Sequence, residues 1–259
     1  MRASLAPTQI RHRSTHAPST VVRFSSHDID CQGIAIPRPE VHLVARFGPA
    51  IQGGLDLYVM GGRQTVHRKL LRGGQQAVLV RLPLGAAEQV LGHPACWLFG
   101  ASMPLEEVWS GPASRQLRDR LAAMTSLNEV AAALEHVIAE RCAQAVEHRS
   151  SYVQIALSAA SRLNRASVSA VAGELGLSER HLRRVFRTSL GVSPKKFAQL
   201  ARFRRAVERA RQQTSTNWAS IAAATGYYDQ AHLIADFRAI SGVTPLALLS
   251  ELRTAHSLG

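Results

Sequence analysis

One folding unit is written twice in this 259-residue chain, and that duplication limits what the chain can fold into. The first copy reads Val171-Ala172-Gly173-Glu174-Leu175-Gly176-Leu177-Ser178, then Leu182, Phe186, Gly191, Val192, Ser193 and Pro194. The second reads Ile221-Ala222-Ala223-Ala224-Thr225-Gly226-Tyr227-Tyr228-Asp229, then Leu233, Phe237, Gly242, Val243, Thr244 and Pro245. In each, an apolar residue and an Ala precede the first Gly by five and four places. In each, an apolar pair four apart leads to a second Gly five residues on. The interval between the first Gly and the apolar pair differs by one residue, which marks a duplicated fold unit and not low complexity.

Each copy predicts helix, tight turn, helix. Ala172 and Ala222 are small enough for two helices to cross closely. Gly176 and Gly226 stand where a chain leaving a helix needs positive φ. Ser178 and Asp229 are suited to cap the next helix by accepting N–H bonds from its first turn. This is the helix-turn-helix pattern, whose second helix lies in the DNA major groove. Pro194 favours the first turn of a helix connecting the copies, with Ser193 as its cap. Its expected buried stripe is Phe197, Leu200, Phe203, Val207 and Ala210, with Lys195, Lys196, Arg202, Arg205 and Arg209 pointing elsewhere. Such a helix fixes the separation of two reading heads, which must be about 34 Å for successive major grooves, or the DNA must bend.

The second helix of the first copy carries the chemistry. Leu182, Val185 and Phe186 share one face. Arg180, Arg183, Arg184 and Arg187, at relative positions 0, 3, 4 and 7, share the other. A charge run is ordinarily a solvated face. Four guanidinium groups on one stripe repel each other, however, and a polyanion opposite them accounts for the run better; Arg can also read guanine bidentately. In the second copy Gln230, Ala231, Ile234 and Ala235 are assigned to the outward face, with Asp236 adding a negative charge near the phosphates. Gln230 suits adenine, and Ala231 or Ile234 a thymine methyl. His181 and His232, each three places after a cap, read as packing or phosphate contacts.

With these residues in place, the chain resembles the AraC/XylS family of bacterial transcription regulators over about residues 161–249. The most specific pieces are Ser178-Glu179-Arg180-His181-Leu182-Arg183-Arg184-Val185-Phe186 and Gly226-Tyr227-Tyr228-Asp229-Gln230-Ala231-His232-Leu233. The resemblance implies two helix-turn-helix units on one long helix and a sequence-specific regulator. Family members commonly carry Arg where this chain has Ala235, which puts base reading by the second unit in doubt. Residues 78–92 and 103–109 loosely resemble an N-terminal domain found in one branch of the family, with no ligand implied.

Charge agrees with a nucleic-acid partner. The formal charge is +13, and residues 161–259 hold 15 Lys and Arg against 6 Asp and Glu, while residues 1–160 hold 16 against 12. No apolar run approaches the roughly 18 residues of a membrane helix. Cys31, Cys96 and Cys142 are widely spaced with no C-x-x-C, which suits a reduced cytoplasmic protein and gives no metal site.

The expected class is α+β: a β-rich domain followed by an all-α tandem helix-turn-helix domain. The divisions are a disordered basic tail over 1–20, a β-rich sensor domain over 21–110, a helical connector or dimerisation segment over 111–148, and the DNA-binding domain over 149–252. Strands are expected at 41–47, 55–60 and 76–82, a short helix at 85–92, and amphipathic helices lined by Leu117, Leu121 and Met124, then Leu127, Val130, Leu134, Val137 and Ile138. A helix over 149–163 opens the DNA-binding domain. Trp218 and Ile221 read as structural.

Three rivals stand beside the regulator. An enzyme finds no G-x-S-x-G, H-E-x-x-H, Walker or dinucleotide sequence. A cupin-like metal site from His42, His67 and His93 fits no ligand spacing, so surface or satisfied histidines are expected there. Methyl-phosphotriester repair needs four zinc-binding Cys. A basic DNA-binding or interaction protein without sequence readout is the third. Double-stranded DNA is the expected partner; RNA polymerase, a small-molecule effector and a second copy of the chain stay open, and no cofactor is implied.

Overall fold

The computed structural model describes residues 21–25, 30–144, 151–213 and 216–257. The basic tail expected over 1–20 lies outside the described residues. A β-rich region leads into a helical C-terminal half, as the punctuation of the sequence predicts.

The strands are β1 (Val21–Ser25), β2 (Cys31–Ala35), β3 (His42–Phe47), β4 (Leu55–Met60), β5 (His67–Leu71) and β6 (Gln76–Arg81). Next come α1 (Ala87–Leu91), α2 (Ala95–Leu98), β7 (Ser102–Pro104), α3 (Leu105–Val108), α4 (Gly111–Ala122) and α5 (Leu127–Gln144). A five-stranded antiparallel sheet has the order β1-β6-β3-β4-β7. Its central strands alternate as half-buried strands should: Leu55, Leu57 and Val59 point into the core and Asp56, Tyr58 and Met60 away from it. The inward residues meet Leu43, Ala45, Val78 and Val80 and the helices above them. Leu117 and Leu121 of α4 and Val130, Leu134 and Ile138 of α5 belong to the same core, so the apolar stripes of residues 111–144 are used on this sheet. Glu129 accepts from the N–H groups of Thr125 and Ser126 while Ser126 Oγ accepts from the Glu129 N–H, a capping box that starts α5.

The second sheet joins the two halves of the chain. Its order is β5-β2-β8, where β8 (His256–Ser257) follows the last helix and pairs parallel with β2. The helices between are α6 (Ser151–Arg162), α7 (Val168–Glu174), α8 (Glu179–Leu190), α9 (Pro194–Gln212), α10 (Trp218–Thr225), α11 (Gln230–Ser241) and α12 (Pro245–Thr254). No single helix among the described residues is long and apolar enough to cross a membrane.

Two further cores divide this half. One is built by α6, α7, α8 and the start of α9 around Leu182, Val185, Phe186 and Phe197. The other is built by the rest of α9 with α10, α11 and α12 around Phe203, Ile221, Leu233 and Phe237, and it takes in Ile34 and Val66 from the β-rich region. The expected stripe of α9 is buried throughout, Phe197 serving the first core and Leu200, Phe203, Val207 and Ala210 the second.

Gly191 ends α8 with φ +75° and also faces the β-rich region. A Cβ there would lie 2.7 Å from Phe99 and 2.9 Å from the Ala95 carbonyl oxygen, whereas one on Gly242, at φ +78°, would meet nothing within 4 Å. Both substitutions to Ala strain the left-handed cap, by about 1 kcal/mol or more. Gly191→Ala is expected to lower the melting temperature further than Gly242→Ala, the difference reporting the contact between the two halves.

Candidate nucleic-acid interface

The duplicated sequence folds into duplicated geometry. In the first copy the Leu177 N–H reaches back to the Ala172 carbonyl at 2.9 Å; in the second the Tyr227 N–H reaches the Ala222 carbonyl at 3.0 Å. Gly176 and Gly226 take φ +65° and +86°, so each turn uses Gly as the sequence requires. Every helix from α7 to α12 starts on a side-chain cap, supplied in turn by Ser167, Ser178, Ser193, Asn217, Asp229 and Thr244. The Ser178 and Asp229 caps accept from the N–H of His181 and His232 at 3.2 and 2.7 Å. The residue by which the copies differ is Tyr228, whose side chain stands 93% exposed beside the start of α11.

On α8 the four arginines are exposed opposite buried Leu182, Val185 and Phe186. They are not equivalent. The side chains of Arg180 and Arg187 have no hydrogen bond or ion pair among the described residues. Arg183 pairs with Glu179 at 2.8 Å, so one acid of this helix does face the stripe. Arg184 lies over the Tyr152 ring of α6, 5.9 Å from its centre, and donates to the Tyr152 hydroxyl at 3.4 Å. His181, half-buried, packs edge-on against the same ring at 5.8 Å. Tyr152 therefore braces two neighbouring side chains of the exposed face.

On α11 the arrangement departs from the sequence expectation. Gln230, Ala231 and Ala235 are exposed, and Ile234 is partly buried against the second helical core. Asp236 does not face outward: it is 8% exposed, accepts from Gln199 Nε2 at 2.7 Å and lies 3.8 Å from the Arg202 guanidinium. A carboxylate at a position occupied by Val185 in the first copy finds polar partners on α9, which replaces outward exposure. Burial, and then the Asp236 charge, raises the pKa of the nearby Tyr227 hydroxyl above its ordinary value.

Three basic side chains of α9 are also used internally. Arg202 lies over the Tyr227 ring, Arg204 pairs with Glu40 at 3.3 Å, and Arg205 donates to Asn164 and to the Thr225 carbonyl oxygen. Arg162, Arg165 and Arg205 line a cleft between the two units together with Glu174.

Three residues of this face were missed by sequence reasoning. Tyr152 has no sequence signal, and Tyr228 is marked only by the one-residue difference. Arg238 could have been found, because the copies superpose with an offset of 51. Arg180, Arg183, Arg184 and Arg187 then correspond to Ala231, Ile234, Ala235 and Arg238. Arg238 is exposed on α11 and keeps the last position of the stripe.

The family comparison covers the same segment. A model described as a helix-turn-helix domain, of AraC type, matches residues 171–251. Residues 171–251 are an AraC-type helix-turn-helix domain. A strand-rich region lies ahead of this domain in the chain. No curated protein matches it. Among solved structures, ToxT from Vibrio cholerae is similar at 11% identity, covering 90% of this chain and 97% of that one, with a TM-score of 0.42. ToxT with an unsaturated fatty acid bound gives 12%, 95%, 99% and 0.43. ToxT bound to (E)-4-(8-methylnaphthalen-1-yl)but-3-enoic acid gives 11%, 90%, 97% and 0.44. Likeness this distant carries no function across.

Away from the AraC-type domain, the three histidines of the β-rich region are apart from one another. His67 is exposed and His93 stacks on Trp97 at 5.5 Å between ring centres. His42 departs from the surface or satisfied histidine expected. It is 6% exposed with no partner at Nδ1 among the described residues, and burial, then the Arg81 charge, lowers its pKa to about 4, so it is neutral at physiological pH. Among the described residues no group of three or more potential ligands forms a metal site. A cavity of about 90 Å³ lies between the two sheets, lined by Ala35, Arg46, Tyr58, Arg63, His67 and Lys69 among others. Arg46 is paired with Asp56 at 2.5 Å; partial burial lowers the pKa of Arg63 and of Lys69.

Proposed function

We propose that this chain recognises two successive major-groove segments of duplex DNA unequally, with α8 as the discriminating head and α11 as a weaker one. The observation that carries the proposal is the contrast between superposable faces: four exposed arginines on α8, and Ala, Ile, Ala and Arg at the corresponding places of α11. Arg180, Arg183 and Arg184 lie toward the start of the reading helix, where side chains reach base edges in helix-turn-helix proteins. Arg187 lies a turn further on and is assigned to a phosphate. On α11, Gln230, Ala231, Ile234 and Ala235 offer an amide and short apolar contacts, which suit A·T pairs. The reading is of a regulator that is not an enzyme and acts in the cytoplasm.

We also assign the cavity between the sheets to a small-molecule effector. The cationic groups of Arg63 and Lys69 on its lining are partly desolvated, and their charge is best balanced by an anion. Apolar Ala35, Leu71 and Leu79 on the same lining favour a ligand with a hydrocarbon part.

Selection of duplexes from a random library by the purified full chain tests the two-headed reading. One well-defined half-site beside a degenerate, A·T-tolerant one is expected. The affinity should also fall steeply between about 50 and 200 mM salt, because each phosphate contact contributes a slope near −0.9 in log K against log salt. Recovery of no motif, with salt-dependent binding retained, would favour a basic protein without sequence readout.

A further inference from the structure

The second reading helix is held from outside its own domain. The last carbonyls of a helix have no partner within it and carry the negative end of its dipole. At the end of α11 two of these are taken by the β-rich region. The Val66 N–H donates to the Ile240 carbonyl at 2.8 Å, and Arg68 Nη1 donates to the Ser241 carbonyl at 2.9 Å. The Arg68 guanidinium turns its Nε to Glu251 of α12 at 2.8 Å, so one side chain joins the end of α11 to the helix after it. Val66 itself is buried with Leu233, Phe237 and Ile240 in the core that seats α11.

The same strand has a second face. Side chains alternate along β5, so Arg68 points to α11 while His67, Lys69 and Leu71 line the cavity between the sheets. Any change in the path of β5 therefore moves the groups that cap α11.

We propose that Arg68 is a positioning residue for the second reading head, fixing how α11 presents Gln230, Ala231 and Arg238 to DNA by capping its far end from the sensor region. Arg68 acts through the helix end it holds. This inference rests on the two-headed reading above and assigns a regulator to its weaker half.

The test uses the full chain and a duplex recovered by library selection, measured by affinity and by hydroxyl-radical footprinting of both halves. Arg68→Ala is expected to lose protection of the second half and roughly 3- to 10-fold in affinity, the range of a cation at a helix C-terminus. Protection of the first half should be unchanged, as should the affinity for a duplex whose second half is scrambled. Arg68→Lys, which keeps a cation at the helix end, is expected to recover part of the loss. Glu251→Gln, which removes the carboxylate charge and leaves the cap, is expected to stay within about 2-fold of the parent. A melting curve for each variant separates repositioning from unfolding. Equal loss on both halves, an intact second footprint in Arg68→Ala, or a Glu251→Gln variant that reproduces Arg68→Ala would each overturn the role. A parent protein that protects no second half at all would remove the two-headed reading as well.

Discussion

Arg180→Ala and Arg184→Ala each lower affinity for the selected duplex by about 1–3 kcal/mol and relax preference at their own base pairs, leaving the other positions intact. The Arg180 side chain has no competing partner among the described residues, so its guanidinium is available to a base edge. Arg184 enters the groove already braced on Tyr152, which reduces the side-chain freedom lost on binding. Arg183 must leave Glu179 to reach a base, but an exposed pair of this kind contributes only about 0–1 kcal/mol and yields readily. Arg187→Ala is expected to weaken selected and random duplexes alike and to reduce the salt slope by about 1. Competition binding against random duplex for the four variants decides the matter: equal losses on both ligands for all four would erase the distinction between base and phosphate contacts.

Ala235→Arg is expected to strengthen the weak head. Ala235 corresponds to Arg184, is exposed, and lies on a helix where Arg is nearly as good a helix former as Ala. Asp236 will neither neutralise nor hold the new guanidinium, because its carboxylate is buried toward Gln199 and Arg202. Where a guanine lies in reach, the substitution tightens binding by about 1–3 kcal/mol and sharpens the degenerate half of the selected motif. Tightening without sharpening identifies a phosphate contact instead. Two equally informative halves for the parent protein would show that the outward face of α11 has been assigned wrongly.

Much of the DNA-binding half is legible because its signals are local. A Gly five places after an apolar residue, a Ser or Asp cap and a Ser/Thr-Pro start each act within a few residues, and the caps formed as the sequence implies. Leu182, Val185 and Phe186 separate from the arginines because a single helical period sorts them. Asp236 was misread for the opposite reason. Its surroundings are set by Gln199, 37 residues away on another helix, and no pattern within α11 reveals that. Likewise β5, His67-Arg68-Lys69-Leu70-Leu71, lacks the apolar–polar alternation of a half-buried strand. One of its faces lines a cavity with cationic side chains on its wall and the other meets the polar end of a helix, so both tolerate polar side chains. Strands β3, β4 and β6, which pack one face on an ordinary core, were visible as such.

Ile34 and Val66 sit in one core with Phe203, Leu233 and Phe237, and this has a consequence for shuffling sensors between regulators. A chimera joined anywhere before α6 would keep both reading helices yet strip two buried residues and the Arg68 cap from the second head, and Leu84, Phe99 and the contact at Gly191 from the first. The transplantable piece of this chain is therefore wider than its two reading helices, and a working exchange must carry residues 34, 66–68, 84 and 99 along with the helices they support.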